Sequence, residues 1–312
     1  MIVKKNFHPL KVLTYTWPPM LFSTGLALLV FGLHTGAGFT QIALPFMIVG
    51  VLGTALAIFL GFRNSSSYQR WWEARQLWGG IVNSSRIFSR LVCTFADSHQ
   101  HQANYQKKRS EAFKKSLVYK QIAWVHALRF HLREQPLWEE LKPLVSEAEF
   151  ARLVRAQNKP NYLQKMMGQQ IYTAMADGTL GGFDSFQMEG QLAALANYQG
   201  SCERIKNTPM PRQYHYFTRV FLYVFILFFP LGLIGPLAKM GIAWAVVPVT
   251  VVVAFVFSAI ERTGAVNEDP FENRIQDVPL TTLCNTIERD LRETLEETQL
   301  PQKLVPVDGF LF

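Results

Sequence analysis

The sequence predicts an all-α integral membrane protein with four transmembrane helices and a large helical region outside the bilayer. Three observations lead there. Charged residues make up 17% of the 312 residues and hydrophobic ones 49%, where a soluble chain carries about 25% charged residues. The depletion is also local: no Asp, Glu, Lys or Arg lies between Lys11 and Arg63, and only Lys239 interrupts Val220 to Ile260. Nowhere does a period-two alternation strong enough for a sheet appear, nor an internal repeat.

A helix needs about 20 apolar residues to cross a bilayer. The first charge-free run supplies two such segments, Pro18 to Leu33 (with a start as early as Trp17) and Gln41 to Phe62, joined by a turn at His34-Thr35-Gly36-Ala37-Gly38. Two more run from Val220 to Ala238 and from Met240 to Ile260, with a break expected around Gly235-Pro236 and Lys239. Pro45, Pro230 and Pro248 fall inside these spans, where each removes a backbone hydrogen bond and is expected to kink its helix. Lys4, Lys5, Lys11, Arg63, Arg70, Arg212, Arg219 and Arg262 flank one side, against Lys239 alone on the other. The positive-inside rule then puts both termini and the middle region in the cytoplasm. The first apolar run is too long for a signal peptide, and no Ser/Arg-rich transit segment precedes it. A bacterial inner (plasma) membrane is the expected location.

The resulting division is an N-terminal segment with two spans (1–62), a cytoplasmic region (63–218), two further spans (219–262) and a cytoplasmic C-terminal segment (263–312). In the cytoplasmic region Trp71, Ala74, Trp78, Ile81, Ser85, Phe88, Val92 and Phe95 recur at intervals of three and four, which predicts a long helix continuing from the second span. Helices are also expected over Tyr119 to Glu134, over Glu147 to Ala156 with Ser146 as its cap, and over Phe186 to Ile205. Leu280, Leu283, Ile287, Leu291 and Leu295 predict a last amphipathic helix.

Several function classes are disfavoured. The net charge of +8 comes without an Arg/Lys run interleaved with aromatics, so no nucleic-acid partner is expected. Cys93, Cys202 and Cys284 are far apart and form no CxxC pair, which argues against a disulfide framework or a redox site; each reads as a buried small apolar residue. His99 and His101 sit in a polar Ser-His-Gln-His-Gln stretch that reads as a solvated loop rather than a metal site. His126 and His131 are five apart on a helix and share a face poorly. No GxSxG, P-loop, GxGxxG or HExxH occurs. No enzyme activity, cofactor or metal is expected.

One segment stands out. Gly61-Phe62-Arg63-Asn64-Ser65-Ser66-Ser67-Tyr68-Gln69-Arg70-Trp71-Trp72-Glu73-Ala74-Arg75 carries an apolar span directly into a polar, helix-competent stretch with two Trp at the boundary. Taken alone it is a Trp/Arg interface anchor. It also resembles the hallmark that follows the second span in the bestrophin family. A second match lies at Cys202-Glu203-Arg204-Ile205, Thr208-Pro209, Pro211 and Tyr214. A third is Glu268-Asp269-Pro270-Phe271 with Asp277-Val278-Pro279-Leu280 and Ile287-Glu288-Arg289-Asp290-Leu291. Three motifs in order, with four spans between and around them, cover nearly the whole chain.

The resemblance implies a homopentameric ion channel whose second spans line a central pore through an apolar neck, followed by a cytoplasmic vestibule and a second aperture. Carried over residue by residue, it puts the neck at Thr54, Ile58 and Phe62, one face of a helix, and the aperture near Phe186. Thr54 departs from the bulky apolar residue usual at the first neck position. Apolar rings can gate by dewetting without a charged filter. In animal members an acidic run after the Pro-Phe of the third motif binds calcium. Here Pro270-Phe271 leads into Glu272-Asn273-Arg274-Ile275-Gln276-Asp277, too few carboxylates for six to eight oxygens, so no calcium activation is expected. Glu268, Asp269 and Glu272 are expected to serve as structural charge partners or caps. The implied partners are the chain itself, the lipid bilayer and permeant monovalent ions. The favoured ion is an anion such as chloride, because aromatic edges at Phe62 are weakly positive. The alternative is a monovalent cation (sodium) channel of the same fold, and a membrane-anchored sensor or scaffold is the rival from another class.

Overall fold

The computed structural model describes residues 1–4, 9–101 and 105–312, and for residues 9–13 the backbone alone. Lys5 and the Lys11 side chain of the basic flank lie outside the described residues, as does Gln102. Within them the secondary structure is helical apart from two isolated bridges, Ile2 to Phe310 and Val307 to Phe310. The helices are α1 (Pro9–Phe31), α2 (Phe46–Phe95), α3 (Lys107–Leu132), α4 (Glu147–Arg155), α5 (Lys159–Ala176), α6 (Gly182–Asn207), α7 (Arg212–Lys239), α8 (Val246–Asn267) and α9 (Leu280–Thr294). They form two compact units. One comprises Lys4–Trp71 and Pro209–Glu268; the other comprises Met1–Val3, Trp72–Thr208 and Asp269–Phe312.

The first unit holds the four helices long and apolar enough to cross a membrane. Its core is built by Val49, Leu56 and Leu60 of α2, Leu222, Phe225, Ile226 and Phe229 of α7, and Ala254 of α8. Close approach depends on small residues: a Cβ on Gly232 would come within 2.4 Å of the Val49 side chain, and one on Gly53 within 2.9 Å of the Phe225 ring. Val30, Ile234 and Val246 form a second cluster on α1, α7 and α8. Only 11–33% of the most apolar stretch of each span is buried. The remaining apolar surface is far more than a soluble monomer leaves bare, which is the mark of lipid or subunit contact.

Span boundaries differ from the sequence expectation in instructive ways. Helix α1 begins at Pro9, so Pro18 and Pro19 lie inside it. The expected turn at His34 is a π-helical extension over Gly32–Gly36, and the chain then reverses at Gly38, whose φ of +74° suits glycine. Pro45 precedes α2 rather than kinking it, and the neighbouring Leu44 N–H donates to Leu231 O at 2.9 Å. Helix α7 runs through Gly235-Pro236, because Pro removes one donor without stopping the helix, and ends at Lys239. Pro248 sits in the first turn of α8, where a missing N–H costs nothing.

The second unit surrounds α3, most of whose residues from Leu117 to Leu132 are buried. Of the predicted stripe on α2, Ala74, Trp78, Ile81, Ser85, Phe88 and Val92 are all at 0% exposure, while Trp71 and Phe95 at its ends are only partly covered. Ser85 is on the stripe because its hydroxyl accepts from Gln121 Nε2 of α3 at 2.9 Å. Helix α4 begins where Ser146 predicts, with Glu149 Oε2 accepting from the Ser146 N–H at 3.0 Å. Helix α5 is not legible from periodicity; it starts at Lys159, just after its cap Asn158, whose side chain accepts from Asn161 N. Helix α9 buries Leu280, Cys284, Ile287 and Leu291.

Candidate functional site

The site lies on α2, where the second span meets the polar motif. Its two faces have different fates. Val49, Leu56 and Leu60 are buried against α7 and α8, and Arg63 and Ser67 are buried on the same face. Opposite them Met47, Val51, Thr54, Ile58 and Phe62 recur at intervals of three and four, and all are exposed, Phe62 at 71% and Ile58 at 57%. Thr54 donates its hydroxyl to Gly50 O at 2.9 Å, so its polar group is satisfied by its own helix. This face carries no formal charge.

Rotation of the helix there is set by Arg63, whose side chain is fully buried. Its Nε and Nη2 donate to Glu268 Oε1 at 2.9 and 2.7 Å, and its Nη1 donates to Glu261 Oε1 at 2.9 Å. Nη2 also donates to His215 Nδ1 at 2.6 Å. An arginine has no acceptor, so His215 must present a lone pair at Nδ1 and carry its proton on Nε2. A buried guanidinium is tolerable only when paired in this way. Next along the chain, Asn64 Nδ2 donates to Ile260 O at 3.0 Å, and Gly264 is the glycine that admits it: a Cβ there would fall 1.9 Å from Asn64 Oδ1. The Phe-Arg-Asn triplet thus turns three ways, Phe62 outward, Arg63 into the charge cluster, and Asn64 onto α8.

Sequence reasoning found Glu268 as a charge partner but missed Glu261 and His215. The available signal was a lone acid ending a span at the same depth as Arg63. Glu272 accepts from Lys206 Nζ at 2.6 Å, in keeping with a structural charge, whereas Asp269 is exposed. Asp277 is buried; burial raises its carboxyl above the usual range, opposed by the Arg274 backbone N–H that it accepts at 3.0 Å.

The second motif belongs to α6. Cys202 is fully buried, Glu203 accepts from Asn158 and Gln199, and Arg204 reaches Glu73 Oε1 at 2.5 Å. Burial pushes the Cys284 thiol up to about 12 and raises Cys202 as well, which suits inert packing residues. Cys93 departs from the expectation of burial, being only partly covered. Phe186 sits in the first turns of α6 at 74% exposure, with Phe183 one turn earlier at 69%. Asp184 pins this helix end, accepting from Gly181 N at 2.9 Å and lying 2.9 Å from His99 Nε2. His99 is therefore engaged with a helix terminus, while His101 is exposed. His126 pairs with Glu288 at 2.9 Å and His131 lies 3.5 Å from Glu203. Among the described residues no three His, Cys, Asp or Glu converge as metal ligands would.

A model of the bacterial/fungal bestrophin protein family matches residues 7–293. YneE of Escherichia coli strain K12, named a voltage-dependent anion channel-forming protein, is 32% identical over 274 residues, spanning 88% of this chain and 83% of its own. RSc3414 of Ralstonia nicotianae, named likewise, is 31% identical over 256 residues, spanning 82% and 78%. A solved bacterial bestrophin homolog from Klebsiella pneumoniae is similar with a TM-score of 0.81 at 26% identity, over 90% of this chain and 98% of that one. The three motifs, the four apolar helices and these matches together place the chain in the bacterial/fungal bestrophin family.

Proposed function

We propose that the chain is one subunit of a homopentameric anion channel rather than an enzyme. The four spans, two within residues 1–62 and two within 219–262, cross the bacterial inner membrane, and the N-terminus and residues 63–218 and 263–312 face the cytoplasm. Thr54, Ile58 and Phe62 form the neck, and Phe186 forms the cytoplasmic aperture. The observation that carries the proposal is the uncharged exposed face of α2, which the buried Arg63 cluster holds turned away from the protein core. The names of the relatives, voltage-dependent anion channel-forming proteins, favour an anion over the cation alternative. Without fixed charge on that face, conduction is controlled by wetting of apolar rings, and selectivity arises from the aromatic edges and the hydration cost of the ion.

Reconstitution in a planar bilayer under a potassium chloride gradient tests this. Discrete currents reversing near the chloride equilibrium potential are expected; reversal near the potassium potential transfers the proposal to the cation reading. Silent bilayers from protein whose mass in detergent is five times the 35.6 kDa chain would remove the channel altogether. Ile58→Ala and Phe62→Ala are expected to raise conductance by widening the neck, and unchanged currents in both would move the pore face elsewhere. Phe186→Ala tests the aperture in the same recording, and addition of a calcium chelator is expected to leave the current intact.

A further inference from the structure

Helices α1 and α8 pack together, and where the start of α1 meets the end of α8 an arginine stands without a counter-charge. We propose that Arg262 and Tyr15 bind the phosphate of an anionic membrane lipid. The proposal rests on the four helices crossing a bilayer and is independent of the pore.

The Arg262 guanidinium lies over the Tyr15 ring, its carbon 5.3 Å from the centroid. A ring face attracts a cation but supplies no acceptor oxygen. Nε is shielded from solvent and has no hydrogen-bond partner among the described residues. The two terminal nitrogens are not shielded, and no carboxylate among the described residues pairs with them. The composition of this unit explains why. Lys4–Trp71 and Pro209–Glu268 contain nine Lys and Arg but only two acids, Glu261 and Glu268. Both acids serve Arg63, at 2.9 Å and 2.7 Å, and Arg219 is the next cation to Glu261 at 3.9 Å. A second copy of the chain brings the same acid-poor unit, so the spans of a neighbouring subunit hold no spare acid either.

The surroundings favour a lipid over a free anion. Pro18, Phe22, Gly25 and Leu29 follow Tyr15 at intervals of three and four, and all are exposed. They make one uncharged stripe down α1 from the Arg262 head, about 20 Å long at the helical rise, along which an acyl chain can lie. Arginine grips phosphate through two parallel N–H···O bonds. Tyrosine suits the headgroup level, with its ring among apolar groups and its hydroxyl among polar ones, and the Tyr15 hydroxyl makes no hydrogen bond among the described residues. A zwitterionic lipid carries its own ammonium beside the phosphate, whereas an anionic lipid leaves the phosphate charge for Arg262.

Native mass spectrometry of the intact protein tests this, after equilibration in detergent with phosphatidylglycerol or with phosphatidylcholine of the same acyl chains. Phosphatidylglycerol is expected to stay bound and phosphatidylcholine to dissociate. Arg262→Gln is expected to lower phosphatidylglycerol retention about tenfold, the loss of one charge-assisted contact. Arg262→Lys is expected to recover part of that loss, and Tyr15→Phe to lower retention about threefold through the missing hydroxyl. Lys239→Gln, at the other end of α7, is expected to change nothing. Equal retention of the two lipids, retention unaltered in both Arg262→Gln and Tyr15→Phe, or an equal loss in Lys239→Gln would each overturn the proposal. So would displacement of the lipid by millimolar inorganic phosphate, which marks a free-anion site. A changed subunit number in Arg262→Gln with retention intact would overturn it as well, marking a contact between subunits. Retention is read without any current, so failure of the channel reading and failure of this one are told apart.

Discussion

Arg63 is the residue on which the candidate site turns. Its buried guanidinium satisfies Glu261 of α8, Glu268 just past the end of α8, and an imidazole from α7. Arg63→Ala takes the guanidinium from Glu261 and Glu268, leaving Glu261 only the more distant Arg219 at 3.9 Å, and removal of one partner of a buried pair costs about 3–5 kcal/mol. A drop in melting temperature of the detergent-solubilised protein measures it. Arg63→Lys is expected to recover only part of the loss, because an ammonium cannot serve two carboxylates with a planar fork. The sequence marked Arg63 through its motif. It did not reveal the partners, since Glu261 and His215 are 198 and 152 residues away along the chain.

At the level of elements, α2 illustrates what periodicity can and cannot say. Its second half was legible because a polar helix with one apolar stripe has a single face to bury, and the stripe from Ala74 to Val92 is that face. Its first half is apolar all round, so no stripe exists to read, and which side faces α7 is decided by packing. Glycines mark the closest approaches. A Cβ on Gly80 would fall 2.5 Å from the Tyr198 ring of α6. Gly80→Ala is expected to destabilise by about 1–3 kcal/mol, the usual cost of overpacking, read as a shift in thermal melting. Tyr198→Ala in the same chain is expected to relieve the clash, so the double variant melts above the sum of the two single losses. Ser146→Ala removes the cap of α4 and is expected to cost about 1 kcal/mol.

Over the whole molecule, acid is expected to loosen the unit around α3. Burial of Glu288 opposes its ionisation, but hydrogen bonds from His126 and Arg292 outweigh that and hold its carboxyl below the usual value of 4.5. Glu149 is held down in the same way by Lys120 and Ser146. A carboxylate with a depressed folded-state pKa contributes stability that is complete above the unfolded value and lost as pH falls through the folded one. Asp277, raised by burial, acts in the opposite sense and offsets part of the loss. Melting temperature is therefore expected to fall as pH drops below about 4.5, the carboxylate reference value, and Glu288→Gln is expected to flatten that fall.

The sequence by itself determined that the chain is helical, that four of its helices can cross a membrane, and that its motifs belong to one family. Those are consequences of local composition and spacing, which act over a turn or a span. Span ends were decided otherwise: α1 runs through Pro18-Pro19 and α7 through Gly235-Pro236, because neighbouring helices hold what the local signal would break. Only the tertiary structure decided which side of the second span stays uncovered. There Arg63 must find Glu261 and Glu268, and that pairing turns Thr54, Ile58 and Phe62 to the outside. A buried charge cannot be left alone, so its distant partners set the helix rotation that an all-apolar span leaves free.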